Sequence, residues 1–156
     1  MTFRPNGFGI TSGDTATAVL PASGFWPELS VAEFLRLYRL PAEYAEALIV
    51  DHLELARLWA AEQLDSWVTE KKTEGFETLC AVPFKGIEGG ALRLYKRAVF
   101  CRAKGLLLPQ FATIERREAA RNDAKEGHET AEGFYAFAEK AVATLIGRTF
   151  IGVEAV

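Results

Sequence analysis

Histidine, cysteine and methionine are scarce: the 156 residues hold two, two and one of them. A metal centre therefore has little to be built from, since His52 and His128 fall on different elements and neither has a second ligand at a spacing such as H-x-x-x-H. Cys80 and Cys101 show no C-x-x-C spacing, and no secretory leader precedes them. They read as reduced thiols in a cytosolic compartment, without a disulfide framework. Also missing are G-x-S-x-G, the phosphate-cradling G-x-x-x-x-G-K-[ST] and a strand-borne G-x-G-x-x-G, so no hydrolase elbow, nucleotide loop or cofactor is expected. Apolar runs such as Leu106 to Leu108 fall far short of the ~20 residues of a membrane span, and no membrane association is expected. Nor is there an excess of one charge: 18 basic against 21 acidic residues leave −3. That balance gives no general attraction to nucleic acid or anionic lipid.

What is present has the make-up of one ordinary domain, 49% hydrophobic and 25% charged, able to bury roughly 70% of its unfolded surface in one core. Residues 1–24 carry Pro5, Gly7, Gly9, Gly13, Pro21 and Gly24 with no helical or strand period, and read as a flexible, extended arm. An all-α fold is expected over residues 25–147, a small bundle of about four helices, one of them very long. Residues 148–156 form a β-prone tail.

Ser30-Val-Ala-Glu33 is a capping box that should start a short helix over Val31 to Tyr38. Pro41 suits the first turn of the next helix, and nothing interrupts its pattern before Gly75. Pro41 to Glu74 is 34 residues, about 51 Å of helix. Its acids Glu43 and Glu46 lie at the positive end of the helix dipole, and Lys71 and Lys72 at the negative end. Two apolar stripes run along it: Ala45, Ile49, Leu53, Ala56, Ala60, Leu64 and Trp67, then Tyr44, Leu48, Leu55 and Trp59 with His52 set among them. So wide an arc implies burial on two sides, either inside the chain's own bundle or against a second subunit.

The Gly-rich segment 75–90 is expected to loop back, held by Phe76, Leu79, Val82 and Ile87. A third helix, about Ala91 to Leu107, carries Leu92, Tyr95, Val99, Ala103 and Leu106 on one face and should stop before Pro109. It bears Arg93, Lys96, Arg97, Arg102 and Lys104 without one acid, +5 against −5 for the preceding long helix. Arg93, Lys96, Arg97 and Lys104 admit two readings: contact with DNA, or charge pairing with the acidic helix of the same or a neighbouring subunit, where complementarity fixes register. The second is preferred, and makes Glu43, Glu46, Glu54, Tyr44, Leu48 and Trp59 the facing inter-subunit candidates. Residues 113–129 read as a charged connector. A last helix runs over Thr130 to Ile146, with Phe134, Ala138, Ala141 and Leu145 inward and Gly147 as its stop. In the tail, Thr149, Phe150, Ile151, Val153 and Val156 could add as a strand to another chain.

Three fragments in this order resemble one family. Phe25-Trp-Pro27-Glu-Leu-Ser30 is similar to its F-x-P-D-I-D entry. Gly75-Phe76-x-x-Leu79-x-x-Val82-Pro83-x-x-x-Ile87-x-Gly89 has its G-F-x-x-L-x-x-V-P-x-x-x-I-x-G spacing, and Tyr95-x-Arg97-Ala-Val its Y-x-R-A-V. The family is the head completion protein of contractile-tailed temperate phages, gene product L. The chain departs from it at Ser30, which replaces an acid, and in a shorter stretch between Gly89 and Tyr95. The resemblance implies a non-enzymatic virion protein made in the host cytoplasm. It implies a homo-oligomeric, twelve-membered ring on the portal protein that seals the filled head and offers a surface to a tail-side neck protein, with packaged DNA passing through. The tail would be its portal-docking element. A cytoplasmic nucleic-acid-binding or regulatory module using the basic helix is the alternative, and a small enzyme pairing His52 with Asp51 or Glu54 a third.

Overall fold

The computed structural model describes residues 18–40, 44–111 and 130–148. Ser30 opens the helical part: its hydroxyl accepts the Glu33 N–H at 3.2 Å, and α1 runs Val31–Tyr38, ending where Arg39 turns left-handed at φ 49°. Only half of the expected capping box forms, because the Glu33 carboxylate pairs with Lys96 instead. Ahead of α1, strands β1 (Val19–Leu20) and β2 (Leu29–Ser30) pair antiparallel. Ser23 and Trp26 exchange two backbone hydrogen bonds of 3.0 Å inside that hairpin. Leu20 is thereby 1% exposed and Phe25 joins it in the core. The arm boundary expected at residue 24 is thus too late: residues 18–24 belong to the folded body. The pattern is silent there because a two-residue strand between turns shows no period.

The expected single long helix is two. Helix α2 spans Glu46–Gln63 and α3 spans Asp65–Thr73, parting at Leu64 (φ −100°, ψ 6°). The backbone bond from Leu64 N–H to the Ala60 carbonyl survives at 3.0 Å. No proline or glycine marks the break. Pro41 and Glu43 lie outside the described residues. At the far end Gly75 (φ 102°) closes α3, its N–H bonding the Lys72 carbonyl and that of Phe76 the Lys71 carbonyl. This is the paired C-terminal motif that a residue without Cβ permits. The first apolar stripe is buried from Ile49 to Trp67, with only Ala45 exposed. The second divides: Tyr44 and His52 are buried, Leu48 and Trp59 partly so, and Leu55 is 48% exposed.

The 75–89 segment contains one 3-10 turn, Leu79–Ala81, and a tight turn in which Phe84 and Ile87 bond each other through Lys85 (φ 48°) and Gly86 (φ 77°). Two successive positive φ values make this a type I′ turn. Leu79 and Val82 are buried as expected, but Ile87 sits at the turn's end, 65% exposed, and does not hold the loop down.

Helix α4, Gly90–Phe111, passes through Pro109 rather than stopping before it. In the last turn that proline forfeits only the bond to the Gly105 carbonyl. α4 is the centre of the fold: Tyr95, Ala98, Val99, Phe100, Cys101, Ala103, Lys104 and Leu107 are buried and surround its axis. The expected single face covered only one side of it. α2 and α1 pack on it, and most extensively α5, Ala131–Ile146. α5 begins at Thr130, whose hydroxyl accepts the Gly133 N–H at 3.0 Å, and is stopped by Gly147 as the sequence predicts. Ala138, Ala141, Val142 and Leu145 face inward, with Phe134 half-buried. The connector 113–129, with His128, lies outside the described residues. No helix among those described is long and apolar enough to cross a membrane.

Gly105 fixes the α4–α5 distance, since a Cβ there would stand 2.6 Å from the Tyr135 ring and 3.2 Å from the Ala131 carbonyl oxygen. Gly105→Val should cost about 2 kcal/mol net of its better helix propensity, lowering the melting temperature by roughly 4–8 °C. Thermal denaturation followed by circular dichroism checks this, and an unchanged midpoint would refute the close approach.

Candidate interaction surfaces

The five cations of α4 have different fates. Lys96 Nζ reaches the Glu33 carboxylate at 3.0 Å and 3.2 Å. Arg102 lies between two rings, its guanidinium carbon 4.9 Å from the Trp59 centroid and 4.6 Å from that of Tyr135, tying α2 and α5 to α4. Lys104, 3% exposed, donates to the Tyr38 carbonyl at 2.7 Å and lies 4.7 Å from the Phe134 ring centre. A cation at the carbonyl end of α1 is favoured by the helix dipole. Arg97 rests over Phe137 at 5.3 Å but stays exposed, as does Arg93. The basic stripe is therefore not a free stripe: Lys96, Arg102 and Lys104 serve the chain's own packing. A nucleic-acid-binding module is left with two outward arginines on this helix.

The facing candidates divide in the same way. Tyr44 is buried and its hydroxyl donates to the Leu107 carbonyl at 3.0 Å. Trp59 lies under Arg102, and Leu48 is half-buried. Glu46 and the Glu54 carboxylate face solvent, Glu54 standing 3.9 Å from Arg57. Tyr44 and Lys104 thus sit inside the fold rather than on a surface that a neighbour could meet.

His52 is a packing residue. It is buried, and its Nδ1–H donates to the Leu48 carbonyl at 2.8 Å. Asp51 stands 4.0 Å away with its carboxylate largely in solvent. Among the described residues no cluster of His, Cys, Asp and Glu is arranged to hold a metal ion.

The three sequence fragments that resembled a family converge in space. Phe25 meets Trp26 edge-on at 5.5 Å and Trp67 at 6.2 Å, Trp26 stacks on Tyr95 at 5.0 Å, and the Leu79 N–H bonds the Phe25 carbonyl at 2.9 Å. Val82 is buried beside them, while Pro27 and Phe76 are half-buried. Pro83, Ile87 and Arg97 are exposed, and Gly89 has φ 71°. The shared spacing thus records mainly a packing clamp between the hairpin, α3, the loop and α4. The chain matches the family described as phage head completion protein (GPL) over residues 20–156. This chain belongs to that family. A curated relative, the probable head completion/stabilization protein of Haemophilus phage HP1, is 32% identical over 119 residues, covering 74% of this chain and 78% of the relative. No solved structure is significantly similar to this chain. The head completion family match starts at residue 20, the first residue that the hairpin buries.

Among the described residues, two outward surfaces combine apolar and charged side chains. One is a groove of about 630 Å³ between α1 and α4, with Leu92 and Phe100 in its lining and Leu37, Arg93, Arg97 and Glu88 exposed around it. The other is the solvent face of α2, where Leu58 is 65% exposed next to Leu55. The thiols also differ in access: Cys80 is exposed and Cys101 buried. Burial pushes the Cys101 thiol pKa up, the Tyr38 hydroxyl and nearby cations opposing it. A raised pKa means less thiolate, the reactive form. Iodoacetamide at pH 8 should therefore add one carbamidomethyl group per native chain, at Cys80, and two after denaturation. Rapid double labelling of native protein in an intact-mass spectrum would contradict this.

Proposed function

We propose that this protein is a structural component of the phage head that completes it after DNA packaging, acting as a connector subunit between portal and tail. The supporting observation is the clamp of Phe25, Trp26, Leu79 and Tyr95, because the residues that mark the family build a scaffold rather than a reaction site. On this reading the chain assembles as a ring, with twelve copies the number that the resemblance implies. It sits on the portal at the head–tail junction of the virion, lets packaged DNA pass through, and offers its far side to a neck protein of the tail. Assembly takes place in the host cytoplasm.

Residues 149–156, outside the described residues, supply the portal contact in this proposal. Thr149, Phe150, Ile151, Val153 and Val156 provide β-prone side chains, and the backbone of such a segment can add to a strand of the partner. The folded body gives them a fixed root, since α5 is closed by Gly147, and Arg148 N–H bonds the Ala143 carbonyl at 3.0 Å.

Removing residues 149–156 should leave the helical spectrum and melting temperature unchanged and weaken capture of purified portal rings by at least tenfold, about 1.4 kcal/mol. Undiminished capture would discard the docking segment. Absence of the protein from DNA-filled heads, measured by mass spectrometry of purified particles, would discard the head role itself.

A further inference from the structure

Helix α2 keeps two leucines on its solvent face. Its buried side carries Ile49, Leu53, Ala56 and Ala60, and its opposite side carries Leu55 and Leu58, exposed by 48% and 65%. Asp51, Glu54 and Glu62 share that outer side at helical spacing. The helix's one arginine, Arg57, is buried and donates to the Pro21 carbonyl at 2.9 Å, so only its approach to Glu54 offsets the acids. The outer face is an apolar ridge in a negative frame.

The groove between α1 and α4 is the converse. Leu92 and Phe100 contribute apolar lining, Leu37 on α1 is 58% exposed at its edge, and its volume of about 630 Å³ has room for two leucine side chains. Glu33 and Lys96 within it neutralise each other at 3.0 Å. That leaves Arg93 and Arg97 against the single carboxylate of Glu88. Ridge and groove share no residue, and the ridge is turned away from the α4 helix that floors the groove.

From this pairing we infer that the α2 ridge of one copy of the chain docks into the α1–α4 groove of a second copy. The inference deepens the reading of the protein as a repeated subunit and rests on it. Leucines fill the apolar lining while Asp51, Glu54 and Glu62 come opposite Arg93 and Arg97 at the rim. Each copy uses its ridge once and its groove once, so the contact is heterologous and propagates from copy to copy, closing when the rotation between neighbours permits. Charge complementarity of this kind sets orientation and rejects ridge-to-ridge pairing, in which the acids would repel.

The test uses full-length Leu58→Glu, which spoils only the ridge, and Leu37→Glu, which spoils only the groove. Both sites are exposed, so both variants keep the wild-type melting temperature. In sedimentation velocity the wild type associates progressively below about 1 mM, and each variant requires at least tenfold higher concentration, about 1.4 kcal/mol. An equimolar mixture of the two forms one-to-one dimers and nothing larger, because one intact ridge meets one intact groove and the remaining pair repels. The contact is overturned by a wild type that stays monomeric at that concentration, by variants that associate normally, or by a mixture that stays monomeric or grows past dimers. Filled heads carrying Leu58→Glu at the normal copy number would also overturn it while leaving the head role standing.

Discussion

The fold depends on what it takes to bury most of the circumference of α4. A helix so placed can turn only Arg93 and Arg97 of its five cations to solvent. Lys104, 3% exposed, would be costly unless paired, since a buried ion loses hydration that only close partners replace. The Tyr38 carbonyl at 2.7 Å and the Phe134 ring provide for it. Arg102 meets the same need between Trp59 and Tyr135. These contacts draw the end of α1, the middle of α2 and the start of α5 onto one stretch of α4. Gly105, next to Lys104 in sequence, lets α5 come near enough for its rings to serve. Hydrophobic burial supplies most of the driving force, but the cations decide which elements must be neighbours.

That constraint explains which parts of the fold were legible in the sequence. Several helix ends were readable from local signals, although Pro109 did not stop α4. Ser30 set the start of α1, Gly75 the end of α3, and Thr130 and Gly147 both ends of α5. The role of α4 was not. Its far side consists of Phe100, Cys101, Lys104 and Leu107 interleaved with Arg93 and Arg97, and a lysine beside arginines reads as a solvated face until a carbonyl from another element is known to await it. The break at Leu64 escaped because no proline or glycine marks it; α3 beyond it carries Trp67, which meets Phe25 from a distant part of the chain. The candidate surface was half legible. Opposed charge on the two helices was visible as composition, but its division into internal and outward members is a tertiary matter. Of the two ridge leucines, Leu55 stood in the second apolar stripe, whereas Leu58 fell in neither stripe.

The family motif has the same physical basis. Phe25, Leu79 and Tyr95 keep their spacing because they close one clamp: a hairpin ahead of the helices, a loop after α3 and the first turns of α4 have to meet at a single aromatic cluster. The Tyr95 hydroxyl is buried without a partner among the described residues, and its pKa is pushed up by that burial. The ring's contribution to the cluster is its packing with Trp26. Recognition of the family thus came through the scaffold, and the scaffold says little about partners.

Among the described residues, α4 presents Arg93 and Arg97 after internal pairing, α2 presents two leucines among acids, and the groove between α1 and α4 is open. Contacts of this size between two free copies are weak, because association has to overcome lost translational and rotational freedom before any affinity appears. A subunit that belongs on a larger assembly gains from such weakness. Held beside its neighbours by a common platform, each copy meets the next at a high effective concentration, and modest contacts then add up around the array. Free copies at high dilution meanwhile remain dispersed. Weak lateral surfaces, with the docking segment proposed above, fit a part that should assemble most readily where the platform already stands.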